Sequence, residues 1–413
     1  MGTWRESTWW RRPIPVLAIA VAVVTALGLL VVVWPGRGDA PAALEAKWRL
    51  GPLSEVDLDT ATPAVLGDAV VLGDDEGLVV VDPATGAVRW DRTLSKNCGF
   101  SVAPDAVYLS LPAANGPCDT LTRINADGQE AWRVRLGDAV SQQGKPVALA
   151  GRADGVVVVT ERAIVAYPVT GGAPKWTHTI PVNAWGDSEY GNDCRFTDAV
   201  VGADAIATRV GCAEPAFAVS RDSSLLELRA VDGGAVRHRG PVTSGGGQRL
   251  LHASATGVVV NAASGLEFYD AQARLTARYP HDAGAEAGWM YLQAAFPRDV
   301  VITGDQLVMV GSGRRPVAIE ISTGRERWRA DEGEDFGCGG VVWGGELLVC
   351  GDDRAMSAYH LATGDLRTDQ GIEVDGLTDP ERTLVANWHR VLRVGDHLVV
   401  QDGEDSVLGL VPA

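Results

Sequence analysis

Basic residues are scarce in this sequence, and their scarcity excludes one large class of proteins. The 413 residues include 36 lysines and arginines against 53 aspartates and glutamates, which gives a formal net charge of −17 at pH 7. Proteins that bind nucleic acids need clustered positive charge to displace the counterions of the phosphate backbone. The sequence therefore predicts no nucleic-acid partner.

The motifs that mark common enzymes and metal sites are also absent. The sequence has no Cys-x-x-Cys, no paired histidines, no His-Glu-x-x-His, no Gly-x-Ser-x-Gly and no Walker loop. Zinc sites need clustered cysteine and histidine ligands, and the other motifs carry nucleophiles or phosphate-binding loops. We predict no metal site, no cofactor and no catalytic residue. A site assembled from distant loops is the alternative that a motif search leaves open.

Cysteine is rare, but its six positions form a pattern. They fall into three pairs that are close in sequence, and the last pair flanks a hairpin pattern that turns at 344–345. The middle pair is placed symmetrically about a turn at 202–204. Sequential pairing is one of many connectivities, and we predict it in an oxidising compartment. The predicted pairs are Cys98–Cys118, Cys194–Cys212 and Cys338–Cys350.

One uncharged apolar run near the N-terminus predicts a membrane segment. Residues 13–36 contain no charged side chain, and about 20 apolar residues in a helix span the hydrocarbon layer of a bilayer. Arg5, Arg11 and Arg12 precede the run, whereas only Arg37 follows it closely. The positive-inside rule then orients the N-terminus toward the cytoplasm.

The predicted organisation is that of a single-pass protein of the cell membrane whose larger part is extracytoplasmic. The alternative is a cleaved signal peptide, because the small residues at 40–42 resemble a cleavage site. The predicted segments are a cytoplasmic tail at 1–12, a transmembrane helix at 13–36, a linker at 37–43 and a folded domain at 44–413.

A phrase made of a β-rich run, a turn with glycine and a short strand with tryptophan recurs through the chain. Two further apolar runs precede each phrase, so each unit has about four short strands joined by Gly/Asp turns. Trp90, Trp132 and Trp176 are separated by 42 and 44 residues. A four-strand repeat of about 40–45 residues is typical of a β-propeller blade. The phrases lie at 79–90, 123–132, 166–176, 228–238 and 318–328, with weaker copies at 268–277 and 358–368.

The two ends of the chain predict how the array closes. The C-terminal residues 387–413 supply three strands and then stop, and Trp48 lies 42 residues before Trp90 in a strand pattern at 44–50. We predict an all-β fold, an eight-bladed β-propeller in which this N-terminal strand completes the last blade. Seven blades are the alternative, because the degenerate copy at 268–277 can be absorbed elsewhere.

The repeated Thr-Gly-x-x-x-Trp element resembles a known docking motif. From Thr85 to Trp90 and from Thr323 to Trp328 it is similar to the tryptophan-docking repeat of the pyrroloquinoline-quinone-like β-propellers. That family includes quinoprotein dehydrogenases and the propeller subunit of the outer-membrane protein assembly machinery. The resemblance covers 44–413 and implies that the tryptophans pack between neighbouring blades. The residues with this implied role are Trp48, Trp90, Trp132, Trp176 and Trp328.

The chain departs from the enzymes of that family. Their quinone lies on the propeller axis with calcium, a catalytic aspartate and a disulfide between adjacent cysteines, and this chain has no adjacent cysteines. His238 and Thr368 stand where the repeat tryptophan belongs in two of the phrases. Few lysines and abundant Ala, Gly and Val look similar to membrane-anchored actinobacterial propellers. We predict a non-catalytic protein, with a quinone-dependent oxidoreductase as the alternative.

Acidic loops with large aromatic residues predict an interaction surface. The connections between predicted blades hold 15 acidic residues against one arginine. Aromatic residues anchor interfaces and charge steers encounter, so we predict a scaffold that binds a protein of the cell envelope. A ligand-binding or sensing ectodomain and merely solvated loops are the alternatives. The connections are 54–60, 183–193, 281–288, 331–337 and 375–382. The candidate binding residues are Trp185, Tyr190, Trp289, Tyr291, Trp388, Asp187, Glu189, Glu334 and Asp335.

Overall fold

The structure, a computed structural model, describes most of one compact unit that spans Gly38–Ala413. The predicted tail and membrane segment at 1–36 lie outside the described residues. Within the described ranges, no helix is long and apolar enough to cross a bilayer. These ranges are 40–51, 56, 62–74, 76–94, 98–112, 116, 118–136, 146–180, 194–212, 224–242, 249–262, 265–280, 300–311, 314–330, 339–350, 355–367, 372–378, 381, 385, 390–401 and 406–413.

The named elements of the described residues are all β-strands. The first sixteen are β1 (Ala43–Leu50), β2 (Thr62–Leu66), β3 (Ala69–Gly73), β4 (Gly77–Val81), β5 (Val88–Thr93), β6 (Phe100–Ala103), β7 (Ala106–Leu111), β8 (Thr120–Asn125), β9 (Glu130–Arg135), β10 (Ala148–Arg152), β11 (Gly155–Val159), β12 (Ala163–Pro168), β13 (Trp176–Thr179), β14 (Cys194–Val201), β15 (Ala205–Cys212) and β16 (Ser224–Ala230). The others are β17 (Val236–Pro241), β18 (Arg249–Ala253), β19 (Gly257–Ala262), β20 (Gly265–Asp270), β21 (Leu275–Pro280), β22 (Val300–Thr303), β23 (Gln306–Gly311), β24 (Arg314–Glu320), β25 (Glu326–Arg329), β26 (Gly340–Trp343), β27 (Glu346–Cys350), β28 (Ala355–His360), β29 (Ile372–Asp375), β30 (Arg390–Val394), β31 (His397–Gln401) and β32 (Val407–Pro412).

These strands form repeated four-stranded antiparallel sheets, the arrangement of a β-propeller. Six sheets have four strands in chain order, from β2–β5 to β22–β25. A seventh sheet has eight strands, and it consists of β26–β29 and of β30–β32 with β1. Parallel pairing of β29 with β1 joins its two halves. The first strands of most neighbouring sheets contact one another, and β2 contacts both β6 and β30.

The burial of the strands follows their position in each sheet. In the first sheet every residue of β3 and β4 is buried, whereas the outermost strand β5 is half-buried or exposed throughout. A central strand is covered on both faces by neighbouring sheets, so its sequence is a continuous apolar run. The core therefore lies between sheets, as where Val71 and Val80 pack with Val107 and Leu109 of the second sheet.

The N-terminal strand joins the two ends of the described chain. β1 pairs antiparallel with β32, and Trp48 lies opposite Gly409 in this register. The segment before β1 is also held, because Ala40 N–H donates to Glu346 Oε2 at 3.1 Å. Arg367 Nη1 donates to the carbonyl of Ala40 at 2.7 Å. Residues 40–43 of the predicted linker therefore pack with the folded unit.

Candidate functional site

The two ends of the sheets carry different kinds of turn. In each antiparallel meander, the turn between the first and second strands and the turn between the third and fourth strands lie at one end. We call this the docking end. The turn between the second and third strands and the connection to the next sheet lie at the other end, which we call the connection end.

Trp48 joins the last sheet to the first at the docking end. Its indole Nε1–H donates to the carbonyl of Pro83 at 2.7 Å. Its ring lies against Gly86, which has a φ of +70°, and a Cβ added there would lie 2.6 Å from Cδ2 of Trp48. Only glycine combines this left-handed backbone with so close a ring. The tryptophan of one repeat therefore packs on the turn glycine of the next repeat.

The same geometry recurs between other sheets. Gly128 faces Trp90, Gly171 faces Trp132, and Gly364 faces Trp328, each at a positive φ. In each case the indole N–H donates to a backbone carbonyl of the turn on which it packs. These bonds are Trp90 to Ala126 at 2.8 Å, Trp132 to Val169 at 2.7 Å and Trp328 to Leu361 at 2.8 Å.

Where the tryptophan is missing, the packing changes on both sides of the junction. Ala277 occupies the tryptophan position of the fifth sheet, and a Cβ added at Gly324 would lie 2.3 Å from Cβ of Ala277 and 3.0 Å from the ring of Phe268. The sheet with His238 is followed by one whose turn has Ala273 in place of glycine, at a φ of +57°. At one of these junctions the glycine is lost together with the tryptophan. At the other the glycine is kept, and Phe268 of the neighbouring strand packs against it.

The residue before the tryptophan makes an ion pair that we had not predicted from the sequence. Arg89 Nη1 contacts Asp68 Oδ1 at 2.6 Å, and Lys175 Nζ contacts Asp154 Oδ2 at 2.7 Å. Each acid lies in the turn between the first and second strands. Hydrogen bonds from Arg89 hold the pKa of Asp68 below its usual value, and Lys175 does the same for the pKa of Asp154. The recurring Arg-Trp and Lys-Trp dipeptides are the signal that identifies this pair.

The predicted disulfide between Cys98 and Cys118 is confirmed, with a Cα–Cα distance of 5.8 Å. Cys194 and Cys350 are also disulfide-bonded. Cys194 lies directly opposite Cys212 in the pairing of β14 with β15. Cys338 lies outside the described residues, so the pairs that include it and the Cys212 side chain stay predictions.

Replacement of Cys98 and Cys118 by serine is expected to lower the free energy of unfolding by about 3 kcal/mol. The bridge spans 20 residues, and a loop of that size restricts the unfolded chain by roughly this amount. Chemical denaturation of the double variant measures the loss. Mass mapping of the non-reduced wild type checks all three predicted pairs, and free thiols at Cys98 and Cys118 would contradict the assignment.

The predicted binding residues all lie outside the described residues, as do most of the predicted acidic connections. Two acids of the connection at 375–382 are described. Asp375 is exposed at the end of β29. Glu381 is buried, accepts from the amide of Thr378 at 2.6 Å and pairs with Arg49. Glu381 therefore stabilises the fold and is not part of an exposed acidic surface.

A family model matches one repeat of the chain, and solved structures are similar to its fold. The model of a family described as outer membrane protein assembly factor BamB matches residues 42–102. That segment contains β1 with Trp48, and the first sheet with Gly86, the turn glycine on which Trp48 packs. The resemblance to the PQQ-like β-propellers is confirmed. A search of curated protein sequences finds no significant match.

Many solved structures are similar in fold at low sequence identity. The computationally designed Ika8 protein is 14% identical, with a TM-score of 0.52, over 90% of this chain and 100% of that chain. BamB from Moraxella catarrhalis is 14% identical, with a TM-score of 0.49, over 89% of this chain and 100% of that chain. A quinohemoprotein alcohol dehydrogenase from Comamonas testosteroni is 12% identical, with a TM-score of 0.49, over 92% and 80% respectively.

Proposed function

We propose that this chain is an eight-bladed, non-catalytic β-propeller that acts as a protein-interaction scaffold through its connection end. The six four-stranded sheets and the two halves of the eight-stranded sheet are the proposed blades. The family whose model matches 42–102 is described as an assembly factor. Assembly of proteins is a binding function, and a propeller can perform it without a catalytic centre.

The proposal rests on a difference in charge between the docking end and the connection end of the sheets. At the docking end several acids are paired with cations of the fold, as Asp68, Asp154 and Glu346 are with Arg89, Lys175 and Arg367. The five acidic connections named above, at the other end, instead hold 15 acids and one arginine by sequence. These connections thus give the connection end a negative charge that can steer a basic partner.

We further propose that residues 13–36 tether the propeller to the membrane, with the propeller on the extracytoplasmic side. The disulfide between Cys98 and Cys118 supports an oxidising location. The full chain should stay in salt-washed membranes, and a chain that begins at Gly38 should be released. Retention of the shorter chain would contradict the tether. This start keeps Ala40 and its contacts with Glu346 and Arg367 intact.

In-cell chemical cross-linking with mass spectrometry tests the scaffold proposal. The wild type is compared with a variant in which Trp185, Trp289 and Trp388 are replaced by alanine, after its unfolding midpoint has been checked. We expect a protein partner that the wild type captures and the variant loses. Equal capture by both would exclude these residues as the binding surface. A rise in melting temperature on addition of calcium and quinone would favour the oxidoreductase alternative.

A further inference from the structure

A cavity of about 310 Å³ lies at the docking end between the third and fourth sheets. The turn between β10 and β11 and the end of β12 line one side, and the turn after β16 lines the other. This volume lies at the lower end of the range for pockets that hold small ligands. Its polar and aromatic lining consists of Arg152, Asp154, Tyr167, Lys175, Trp176 and Asp232.

Trp176 differs here from the other docking tryptophans. A Cβ added at Gly234 would lie 2.5 Å from Cζ3 and 2.8 Å from Cε3 of Trp176. The turn at Gly234 therefore contacts only the six-membered ring of the indole. At Gly86 and Gly128 the contacts include Cγ and Cδ2, two atoms of the five-membered ring that bears the N–H. Among the described residues, Trp176 Nε1 has no hydrogen-bond partner, whereas Trp48 Nε1 bonds to its turn.

One further group of the cavity is also without a partner in the described part of the chain. The ring of Tyr167 is not that group, because it packs toward the second sheet, with its centroid 6.4 Å from that of Trp132. Asp232 is exposed and makes no ion pair with any described residue. An unpaired polar group in a partly closed site is costly unless water or a ligand satisfies it. The cavity therefore offers a donor in Trp176 and an acceptor in Asp232.

The charged groups that remain exclude two classes of ligand. Arg152 donates to the carbonyls of Gly202 and Ala203 at 3.0 and 2.9 Å, and Lys175 donates to Asp154. Both cations are thus engaged, and Asp232 repels an anion. A cationic ligand would meet Lys175 and leave the indole N–H unpaired. A neutral ligand with hydroxyls that both donate and accept fits all the unpaired groups.

We propose that this cavity binds one monosaccharide ring. A pyranose holds several hydroxyls in fixed directions around a compact ring, and it fits at the edge of the indole of Trp176, where the N–H points. Its hydroxyls accept from the Trp176 N–H and donate to the carboxylate of Asp232. The turns that line the cavity lie at the docking end, so this site is independent of the proposed protein surface.

Saturation-transfer NMR on the full chain, kept in a detergent without a sugar headgroup, tests the site. The probes are glucose, galactose, mannose and N-acetylglucosamine, each alone, with linear sorbitol as the control that has hydroxyls but no ring. We expect saturable binding of at least one sugar, with a dissociation constant on the order of 1 mM, and none of sorbitol. A disaccharide that ends in the same sugar distinguishes a glycan end from a free sugar.

Two substitutions on the cavity and one outside it make the outcome decisive. Asp232→Asn, on an exposed turn, and Trp176→Phe, which keeps an aromatic face but loses the N–H, should each weaken binding about tenfold or more. Trp132→Phe is the matched control, because Trp132 also packs on a turn glycine but its N–H bonds to Val169. Its sugar affinity should equal that of the wild type. Absence of saturable binding by every sugar, or binding unchanged in both cavity variants, would overturn the proposal.

Discussion

Trp48→Ala is expected to lower the free energy of unfolding by about 3–5 kcal/mol, the usual cost of truncating a large buried aromatic residue. Trp48 is only 8% exposed and fills the space between two glycines. A Cβ added at Gly409 would lie 2.0 Å from its Cε2, and the Gly86 turn packs on its ring. The substitution removes this packing and the bond to Pro83, so it loosens the junction of the last and first sheets.

Chemical denaturation of Trp48→Ala measures this loss directly. Val88→Ala is the control, because Val88 is 46% exposed and its truncation should change stability by no more than about 0.5 kcal/mol. Trp48→Phe should fall between the two, since it keeps most of the apolar area but loses the N–H. An unfolding midpoint that is the same in Trp48→Ala and in the wild type would refute the docking role of Trp48.

Glu227→Leu is expected to lower the free energy of unfolding by about 3–5 kcal/mol as well, because it leaves the buried charge of Arg229 without its partner. Glu227 and Arg229 are 2% and 1% exposed. Glu227 accepts from Arg229 and, at 2.6 Å, from Nε of Arg239. Arg229 also donates to the carbonyl of Gly234 at 2.8 Å and lies over the ring of Phe196. Burial lowers the pKa of Arg229, yet its guanidinium stays charged and would lose its carboxylate partner.

The double variant Glu227→Leu/Arg229→Met separates the cost of a stranded charge from the loss of an attractive pair. If the charge is the cause, the double variant should be more stable than Glu227→Leu alone. Glu45→Gln, which removes an ion pair with the exposed Lys47, should cost no more than about 1 kcal/mol. Additive losses in the double variant would show that the charge of Arg229 is not what makes Glu227 important.

The repeat geometry was predictable from sequence because it is local and periodic. A tryptophan four residues after a turn glycine recurs at the fixed spacing of a four-strand unit, and 42 residues separate Trp48 from Trp90. That spacing identifies the N-terminal strand that pairs with β32. The disulfide of Cys98 with Cys118 was predictable for a similar reason, since the two cysteines flank adjacent strands of one sheet.

Other features depend on contacts that spacing does not encode. In the sequence the docking tryptophans occupy the same position of the repeat. In the structure Trp48 is buried while Trp90 is half-buried, and Trp176 contacts its turn only through the six-membered ring of the indole. In β16, Glu227 and Arg229 alternate with leucines as solvent-facing residues do, yet both are buried. Glu227 is paired with Arg229 in its own strand and with Arg239 in the neighbouring strand.

Site-specific photo-cross-linking in cells tests most directly whether partners bind at the connection end. One variant carries a photoreactive amino acid in place of Trp185, in a connection between sheets. A matched variant carries it in place of Val88, an exposed residue next to a turn of the docking end. We expect a protein adduct from position 185 and none from position 88. An adduct from position 88 and none from position 185 would contradict binding at the connection end.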